Sequence, residues 1–236
     1  HLIIVPGHSV INIDAFGSGR EDSDRAWKLL DYQEKQGLPK IIASHIETAI
    51  NISKSDVKSM LLFSGGQTRV DAGPISEGLS YYMYSKIMGW LEDDLLDRVN
   101  VEEYATDSFE NLIFSVCRFK ELAGVYPSRI TIVGFDFKKK RYETLHRAAI
   151  GFPESAFRYI GIKPDSAAFD HDLAESGESK TYSSFQSKMY GSNTEPSSSE
   201  IVAKRFARNP FKRSVPYEVS CSELAPLLHW CGPGLF

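Results

Sequence analysis

Continuous apolar runs alternate with amphipathic segments along the first two thirds of the chain. The runs at 1–7 (HLIIVPG), 59–66 (SMLLFSGG) and 129–135 (RITIVGF) predict buried strands. Shorter runs at 99–105 and 157–162 predict two more strands. Since the longer runs lack the alternation of a half-exposed strand, they are typical of a parallel sheet covered on both faces.

Helical periodicity fills the segments between these runs. It predicts helices at 26–36, 45–53, 75–90 and 138–150. A further helix begins at Asp107, has Glu110 three residues later in an arrangement close to a capping box, and stops at Gly124. The strand–helix–strand repetition predicts an α/β fold, with a doubly wound, mostly parallel, Rossmann-like sheet and helices on both faces.

The composition changes after Pro164. Residues 165–199 are rich in Ser, Gly, Asp and Glu with little apolar periodicity, which predicts an irregular and partly flexible excursion. Helical patterns return at 200–208 and at 222–230. We therefore expect a Rossmann-like core over 1–164 and a partly irregular C-terminal extension over 165–236 that packs on the core.

Charge and cysteine content narrow the class of protein. A net charge of −4 in 236 residues gives no indication of a nucleic-acid partner, and no run is long enough to span a membrane. Three cysteines, Cys117, Cys221 and Cys231, are too few and odd in number for a disulfide framework, which favours a reducing, cytoplasmic compartment. The sequence begins inside a predicted strand and without an initiator methionine, which leads us to expect that upstream residues were removed, a signal or membrane anchor being one alternative.

Polar residues and glycines follow four of the predicted strands. In a parallel sheet the ligand lies beyond the carboxyl ends of the strands, so these residues are expected to share one rim. They are Gly7 and His8; Ser64, Gly65, Gly66 and Gln67, with Glu77 a little later; Glu102, Ser108, Glu110 and Asn111; and Lys138 and Arg141.

Part of this set predicts an anion pocket. The Gly65-Gly66 turn lets backbone N–H groups face outward, and the start of the next helix adds its positive end. Lys138 and Arg141 add mobile cations, the arginine in a fork geometry that suits phosphate. The alternative is structural: the glycines only turn the chain, and the basic helix is a solvated face.

Three residues are candidates for catalysis. His8 suits a general acid or base, and Glu77 and Glu102 suit bases or metal ligands. In the structural alternative, His8 is only a local hydrogen-bonding partner, and Glu77 and Glu102 are helix caps. The sequence contains no Gly-x-Gly-x-x-Gly fingerprint after a strand, no Walker loop and no Gly-x-Ser-x-Gly elbow, which argues against standard dinucleotide, P-loop and serine-hydrolase sites.

The order and spacing of these motifs over about residues 2–150 resemble the SanA/ElyC/YdcF-like domain family (domain of unknown function 218), in a eukaryotic, fungal branch. The matching residues are Ser64, Gly65, Gly66, Ser76, Glu77, Glu102, Glu110, Asn111 and Arg141. The sequence departs from the family pattern at Lys138, which stands where the family has a histidine, and this shifts the emphasis from proton transfer towards anion clamping.

The resemblance implies a Rossmann-like fold, and bacterial members are associated with envelope biogenesis without a securely assigned reaction. One member has been linked to S-adenosylmethionine. Two functions therefore compete for this chain, whose expected partner is a small molecule. The first is a hydrolase or transferase acting on a phosphorylated or nucleotide-linked compound, with Glu77 or Glu102 activating a nucleophile directly or through a divalent metal. The second is a non-catalytic binder of a nucleotide-like ligand such as S-adenosylmethionine.

A basic cluster in the extension allows two interpretations. It contains Lys204, Arg205, Arg208, Lys212 and Arg213. The cluster is either a solvated helix face or a segment that packs over the rim of the sheet and lends an arginine to the pocket. The oligomeric state is left open by the sequence.

Overall fold

A computed structural model describes residues 1–91, 93–165, 167–187 and 200–228. Seven strands lie within these residues and form two sheets. They are β1 Leu2–Pro6, β2 Val10–Ile11, β3 Trp27–Lys28, β4 Met60–Ser64, β5 Val99–Glu102, β6 Ile130–Phe135 and β7 Phe157–Ile162. β2 and β3 pair antiparallel as a small separate ribbon.

The main sheet contains five parallel strands in the order β5-β4-β1-β6-β7. The chain starts in the middle, adds β4 and β5 on one side, and then crosses to add β6 and β7 on the other. The strand order therefore reverses between β1 and β6, which is where open α/β sheets form their ligand crevice. This architecture confirms the predicted doubly wound α/β fold.

Ten helices lie within the described part of the chain. They are α1 Leu38–Ser55, α2 Glu77–Ile87, α3 Asp93–Leu96, α4 Ser108–Ala123, α5 Lys139–Arg141, α6 Arg147–Ala149, α7 His171–Ser187, α8 Glu200–Ala207, α9 Tyr217–Ser220 and α10 Ala225–Leu228. A π-helical turn, Tyr142–His146, joins α5 to α6 in one continuous helical segment.

Alternating residues of the strands pack on opposite faces of the sheet. Ile3 and Val5 of β1 face the layer that contains α1 and α2. Leu2 and Ile4 face α4 and the helical segment 139–149. Every residue of β1 is buried, because helices cover both faces of this central strand.

Local sequence explains the bounds of α4 as predicted. The side chain of Asp107 accepts hydrogen bonds from the backbone N–H groups of Phe109 and Glu110, both at 2.9 Å. At the other end, Gly124 adopts a left-handed conformation with φ 73°, which terminates the helix. The capping interaction fixes where the rim residues of α4 begin.

The prediction of a helix at 26–36 is wrong. Trp27 lies in β3, and the first long helix starts only at Leu38, after Gly37 in a left-handed conformation. The Trp27 indole donates to the Glu21 carbonyl at 2.8 Å, and Gln33 closes a local turn by accepting from the Leu30 N–H. These tertiary and turn contacts override the helical pattern.

The prediction for 165–199 is also wrong in part, because α7 occupies much of that segment. Among the α7 residues whose burial is described, Phe185 alone is fully buried, so this helix has little apolar periodicity in the sequence. Residues 188–199 lie outside the described residues, as does the end of the terminal helix predicted at 222–230. Within the latter range the structure places α10.

The cysteines differ from the expectation of a chain without disulfides. Cys117 of α4 and Cys221 after α9 form a disulfide with their Cα atoms 5.3 Å apart. This bond ties the C-terminal extension to the core, which the sequence spacing did not indicate. Cys231 lies outside the described residues. In the described part of the chain, no helix has the length and apolar character needed to cross a bilayer.

Candidate functional site

A cavity of about 600 Å³ opens at the point where the strand order reverses. Residues after β1 and β6 form its floor, and α7 and α8 of the extension form the opposite wall. Seven of the predicted site residues line this cavity. They are Gly7, His8, Glu77, Ser108, Asn111, Lys138 and Arg141.

His8 and Lys138 meet across the point where β1 and β6 diverge. Lys138 Nζ lies 3.4 Å from His8 Nδ1. Within the described residues, no carboxylate lies within ion-pairing distance of Lys138, and His8 Nε2 is buried without a hydrogen-bond partner. These two groups therefore face the cavity with unused hydrogen-bonding capacity.

Burial changes the protonation of both groups. It lowers the pKa of Lys138 to about 7, with the Arg141 guanidinium as the next cause. Burial and the Lys138 ammonium also hold the pKa of His8 well below its ordinary value. Near pH 7, His8 is thus a neutral imidazole and Lys138 is present in both charged and neutral forms.

Arg141 contacts a carboxylate that the sequence analysis did not select. Its guanidinium Nη2 lies 3.1 Å from Glu178 Oε2 of α7, and the two side chains are only 5% and 12% exposed. Arg141 Nε and Glu178 Oε1 have no partner among the described residues. The pair therefore keeps one donor and one acceptor for a bound molecule.

Glu77 lies between two glycine-containing loops at the start of α2. Its Oε1 accepts a hydrogen bond of 2.6 Å from the Thr68 hydroxyl. A Cβ atom on Gly7 would stand 2.7 Å from Glu77 Oε2, and one on Gly65 would stand 2.8 Å from the same atom. The glycines are needed because the Glu77 side chain occupies that space.

The prediction that the Gly65-Gly66 amides face outward is wrong. Gly65 N–H donates to the Glu102 carbonyl at 3.0 Å, and Gly66 N–H donates to the Ala105 carbonyl at 2.6 Å. A Cβ atom on Gly66 would stand 2.9 Å from that same Ala105 oxygen. The two glycines thus permit close packing between loops, and their amides are already engaged.

Glu102 belongs to a buried network behind the cavity wall. Its carboxylate accepts hydrogen bonds from the Ser64 hydroxyl at 2.6 Å and from the Tyr104 N–H at 2.7 Å. Asn111 donates to the Ser64 carbonyl at 2.9 Å. Burial raises the pKa of Glu102 to about 7, although these hydrogen bonds act in the opposite direction. The network holds the loop that follows β5 against the end of β4.

The remaining predicted residues have structural partners. Glu110 accepts from both the N–H and the hydroxyl of Thr106 and pairs with Arg205 at 3.2 Å. Gln67 donates to the Pro74 carbonyl, and Ser108 contacts His146 at 2.8 Å. Glu102, Glu110, Gln67, Ser64, Gly65 and Gly66 do not line the cavity.

Three phenylalanines form an aromatic wall beside the polar floor, here defined as Phe135, Phe137 and Phe169. Their rings are nearly parallel, with interplanar angles of 25° to 26° and the closest centroids 4.9 Å apart. All three line the cavity. Such a wall suits a planar or apolar group of a ligand.

Comparison with known proteins identifies a relative in yeast. The chain is 30% identical to the uncharacterized protein YOR238W of Saccharomyces cerevisiae, and the alignment covers 94% of this chain and 88% of the yeast protein. The chain belongs to the family of YOR238W. No family model and no solved structure matches the chain.

The extension contributes cations to this family member's cavity. Arg205 pairs with Asp107 at 2.6 Å and so joins α8 to the start of α4. Arg208 lines the cavity and donates to the Thr106 carbonyl at 3.2 Å. The interpretation in which the basic segment packs over the rim and lends an arginine to the pocket therefore agrees with the structure for Arg208, whereas Arg205 joins α8 to α4 without lining the cavity.

Sequence reasoning missed Glu178, Phe169 and Arg69, which also line the cavity. A helical repeat of small and polar residues in α7 gave no indication that one face meets the rim. Within the part of the chain that the structure describes, five cationic and four carboxylate side chains line the cavity, so its net charge is small, and the positions best suited to an anion are the cations that no carboxylate pairs with. Among the described residues, no group of three or more His, Cys, Asp or Glu side chains is arranged to hold a metal ion.

Proposed function

We propose that this protein is an enzyme, a hydrolase or transferase, that acts on a phosphorylated or nucleotide-linked small molecule in the rim cavity. The observation that carries the proposal is that Lys138, Arg141 and Glu77 line the same cavity at the strand-order reversal. Cations that hold an anion beside a carboxylate base are the arrangement that group transfer requires.

Arg141, Lys138 and Arg208 form the proposed anion anchor. Arg141 keeps a free Nε donor next to its contact with Glu178. Lys138 has no carboxylate competing for its ammonium among the described residues. An arginine that offers several donors suits the oxygens of a phosphate group, and a neighbouring lysine adds charge without fixed geometry.

The aromatic wall accounts for the second part of the ligand. Its parallel rings lie on the same side of the cavity as Lys138, whose Nζ is 5.2 Å from the Phe135 ring centroid. A flat group such as a nucleobase would stack there while its phosphate reaches Arg141. This geometry supports a nucleotide-linked compound over a bare phosphate ester.

Glu77 is the proposed base, with His8 as the alternate. Glu77 lines the cavity and keeps Oε2 outside its hydrogen bond with Thr68. Burial and the Lys138 ammonium hold the pKa of His8 well below its ordinary value, so its imidazole is neutral and has a free lone pair but is a weaker base than an ordinary histidine, which is why it is the alternate. Glu102 is not proposed as a base since it lies outside the cavity and is held by four donors.

A non-catalytic binder of a nucleotide-like ligand, such as S-adenosylmethionine, is the second candidate. The hydrogen bonds that the Gly65 and Gly66 amides make within the protein favour it, because these donors then provide no stabilisation for a developing charge.

Membership of the SanA/ElyC/YdcF-like family is likewise a proposal. It is supported by the clustering of Ser64, Glu102 and Asn111 in one hydrogen-bonded network.

A turnover screen tests the enzyme proposal. The full chain is assayed against phosphomonoesters and nucleotide sugars, with and without Mg²⁺ or Mn²⁺, beside Glu77→Gln, Glu102→Gln and the exposed control Glu175→Gln. The proposal expects turnover that falls about a hundredfold in Glu77→Gln and persists in the exposed control Glu175→Gln. Folded Glu102→Gln should also keep its turnover, because Glu102 does not line the cavity. Product formed equally by Glu77→Gln would contradict the assignment of the base. Thermal stabilisation by a ligand without any product would favour the binder.

A further inference from the structure

The amine of Lys138 lies in surroundings that differ from those of an ordinary lysine. Nζ is 3.4 Å from His8 Nδ1, 5.2 Å from the centroid of the Phe135 ring and 6.0 Å from that of the Phe137 ring. In the described residues no carboxylate pairs with it. The adjacent Lys139, by contrast, is exposed and lies 3.8 Å from Glu143.

Charged and titratable groups surround this amine from several elements. They are His8 after β1, His45 of α1, Glu77 of α2, Arg141 of the same helical segment, Glu178 of α7 and Arg208 after α8. Burial and the two arginines favour the neutral amine, while Glu77 and Glu178 favour the ammonium, and the pKa settles at about 7. His45 is buried among aromatic rings and neutral, so it adds no competing charge.

We infer that Lys138 is a nucleophile that forms an imine with an aldehyde or ketone carrying a phosphate or carboxylate group. Lysines are activated in this way when they are desolvated in an apolar site or placed next to another cation. Both conditions hold here, because the Phe135 and Phe137 rings lie on one side of the amine and Arg141 follows one turn later in the same helical segment.

The step needs no oxidant or reductant. Lys138 Nζ attacks the carbonyl carbon, and the carbonyl oxygen gains a proton while the nitrogen loses one, which gives a carbinolamine. Loss of that hydroxyl as water then leaves a C=N bond. His8 Nδ1 lies 3.4 Å from Nζ and is placed to accept a hydrogen bond from the amine and so orient it for attack. Because the pKa of His8 is held well below its ordinary value, solvent rather than His8 carries the proton from the nitrogen to the departing hydroxyl.

The cavity also determines the class of carbonyl compound. Arg141 Nε is a buried donor without a partner in the described chain and is available to the anionic group. Glu178 Oε1 is a buried acceptor without a partner, which suits a hydroxyl on the same compound. A hydroxylated aldehyde or ketone with a phosphate or carboxylate group therefore matches these positions better than a simple aldehyde.

This chemistry is separate from phosphoryl or nucleotidyl transfer and does not depend on it. A phosphorylated carbonyl compound would satisfy both proposals, with the phosphate bound by Arg141 in each. Imine formation is measured as a covalent adduct, whereas the proposed hydrolase or transferase activity is measured as turnover. A failed turnover screen therefore leaves the lysine result interpretable, and the reverse is also true.

Reductive trapping tests the inference on the full chain. Pyridoxal 5′-phosphate serves as the probe, since it is an aldehyde with a phosphate, and pyridoxal without phosphate serves as its uncharged counterpart. After borohydride reduction at pH 7, peptide mapping by mass spectrometry locates the adducts. We expect Lys138 to be modified roughly a hundredfold faster than an exposed lysine such as Lys139, because far more of its amine is neutral. Pyridoxal should react about tenfold less at Lys138.

Two variants supply the controls. Lys138→Arg keeps the charge and is expected to lose the fast adduct, whereas Lys139→Arg is expected to keep it. The wild-type map alone decides the question if Lys138→Arg does not fold. Equal labelling of Lys138 and the exposed lysines from pH 7 to 9, or an unmodified Lys138, would overturn the inference.

Discussion

The side chain of Glu77 fills the space that a side chain at Gly7 would need. A Cβ atom on Gly7 would stand 2.5 Å from Glu77 Cβ and 2.7 Å from Oε2. Gly7 also donates its N–H to the Ser64 carbonyl at 2.6 Å, which holds the loop after β1 against β4. The position of the proposed base therefore depends on a glycine in a neighbouring loop.

Substitution Gly7→Ala should destabilise the fold and displace Glu77. A contact of 2.5 Å between two carbon atoms near the backbone has to be relieved by movement, which costs about 1–3 kcal/mol. Denaturant unfolding monitored by circular dichroism measures this cost. Unchanged stability would show that Glu77 does not occupy this space.

Gly177→Ala is the matched control for that experiment. Gly177 lies inside α7, and a Cβ atom there meets nothing within 4 Å. Alanine is favoured over glycine in a helix, so this variant should gain about 0.5–1 kcal/mol of stability. Loss of stability in Gly177→Ala would contradict the helical assignment of this segment.

Glu102 should make stability depend on pH in a defined window. Its pKa is raised by burial from 4.5 to about 7, so the folded state holds a proton that the unfolded state has lost. Stability from this group is complete below pH 4.5 and falls as the pH rises to about 7, by roughly 3 kcal/mol in total.

Glu102→Gln removes that titration, and its free energy of unfolding should change less with pH than that of the wild type. Urea titrations of both proteins at pH 5, 6, 7 and 8 measure the difference. Parallel curves for the two proteins would show that Glu102 is already ionised at pH 5. The exposed Glu175→Gln controls for the loss of one carboxylate.

Glu178→Gln should increase the affinity of the cavity for anions. The Glu178 carboxylate lies 3.1 Å from the Arg141 guanidinium and competes with a ligand for that cation. Removing one negative charge near a bound anion should strengthen binding roughly tenfold at low ionic strength. Isothermal titration calorimetry with pyrophosphate measures the affinity. Equal or weaker binding than in the wild type would place the anion away from Arg141.

The sequence predicted the sheet because the relevant information is local. Continuous apolar runs mark β1, β4 and β6, and the Asp107 cap and Gly124 mark the two ends of α4. The carboxyl ends of parallel strands meet at one rim, so the convergence of His8, Lys138 and Arg141 followed from the fold class.

Other features depend on contacts between distant segments. The polar composition of α7 indicated an irregular segment. In the structure Glu178 and Phe185 of this helix line the cavity, and Glu178 pairs with Arg141 of the helical segment after β6. The roles of Gly65 and Gly66 depend on the loop after β5, which no local pattern describes. The sequence places both Glu77 and Glu102 at the ends of strands and so does not distinguish them. Only the structure shows that Glu77 lines the cavity and that Glu102 is buried behind it.

The most direct test of the account is the position of an anion in crystals soaked with tungstate, located by its anomalous scattering. The account predicts a tungstate ion in the rim cavity within about 4 Å of Lys138 Nζ and the Arg141 guanidinium. The peak should disappear in Arg141→Met. Tungstate bound only at surface sites, with the cavity empty at saturating concentration, would contradict the central claim.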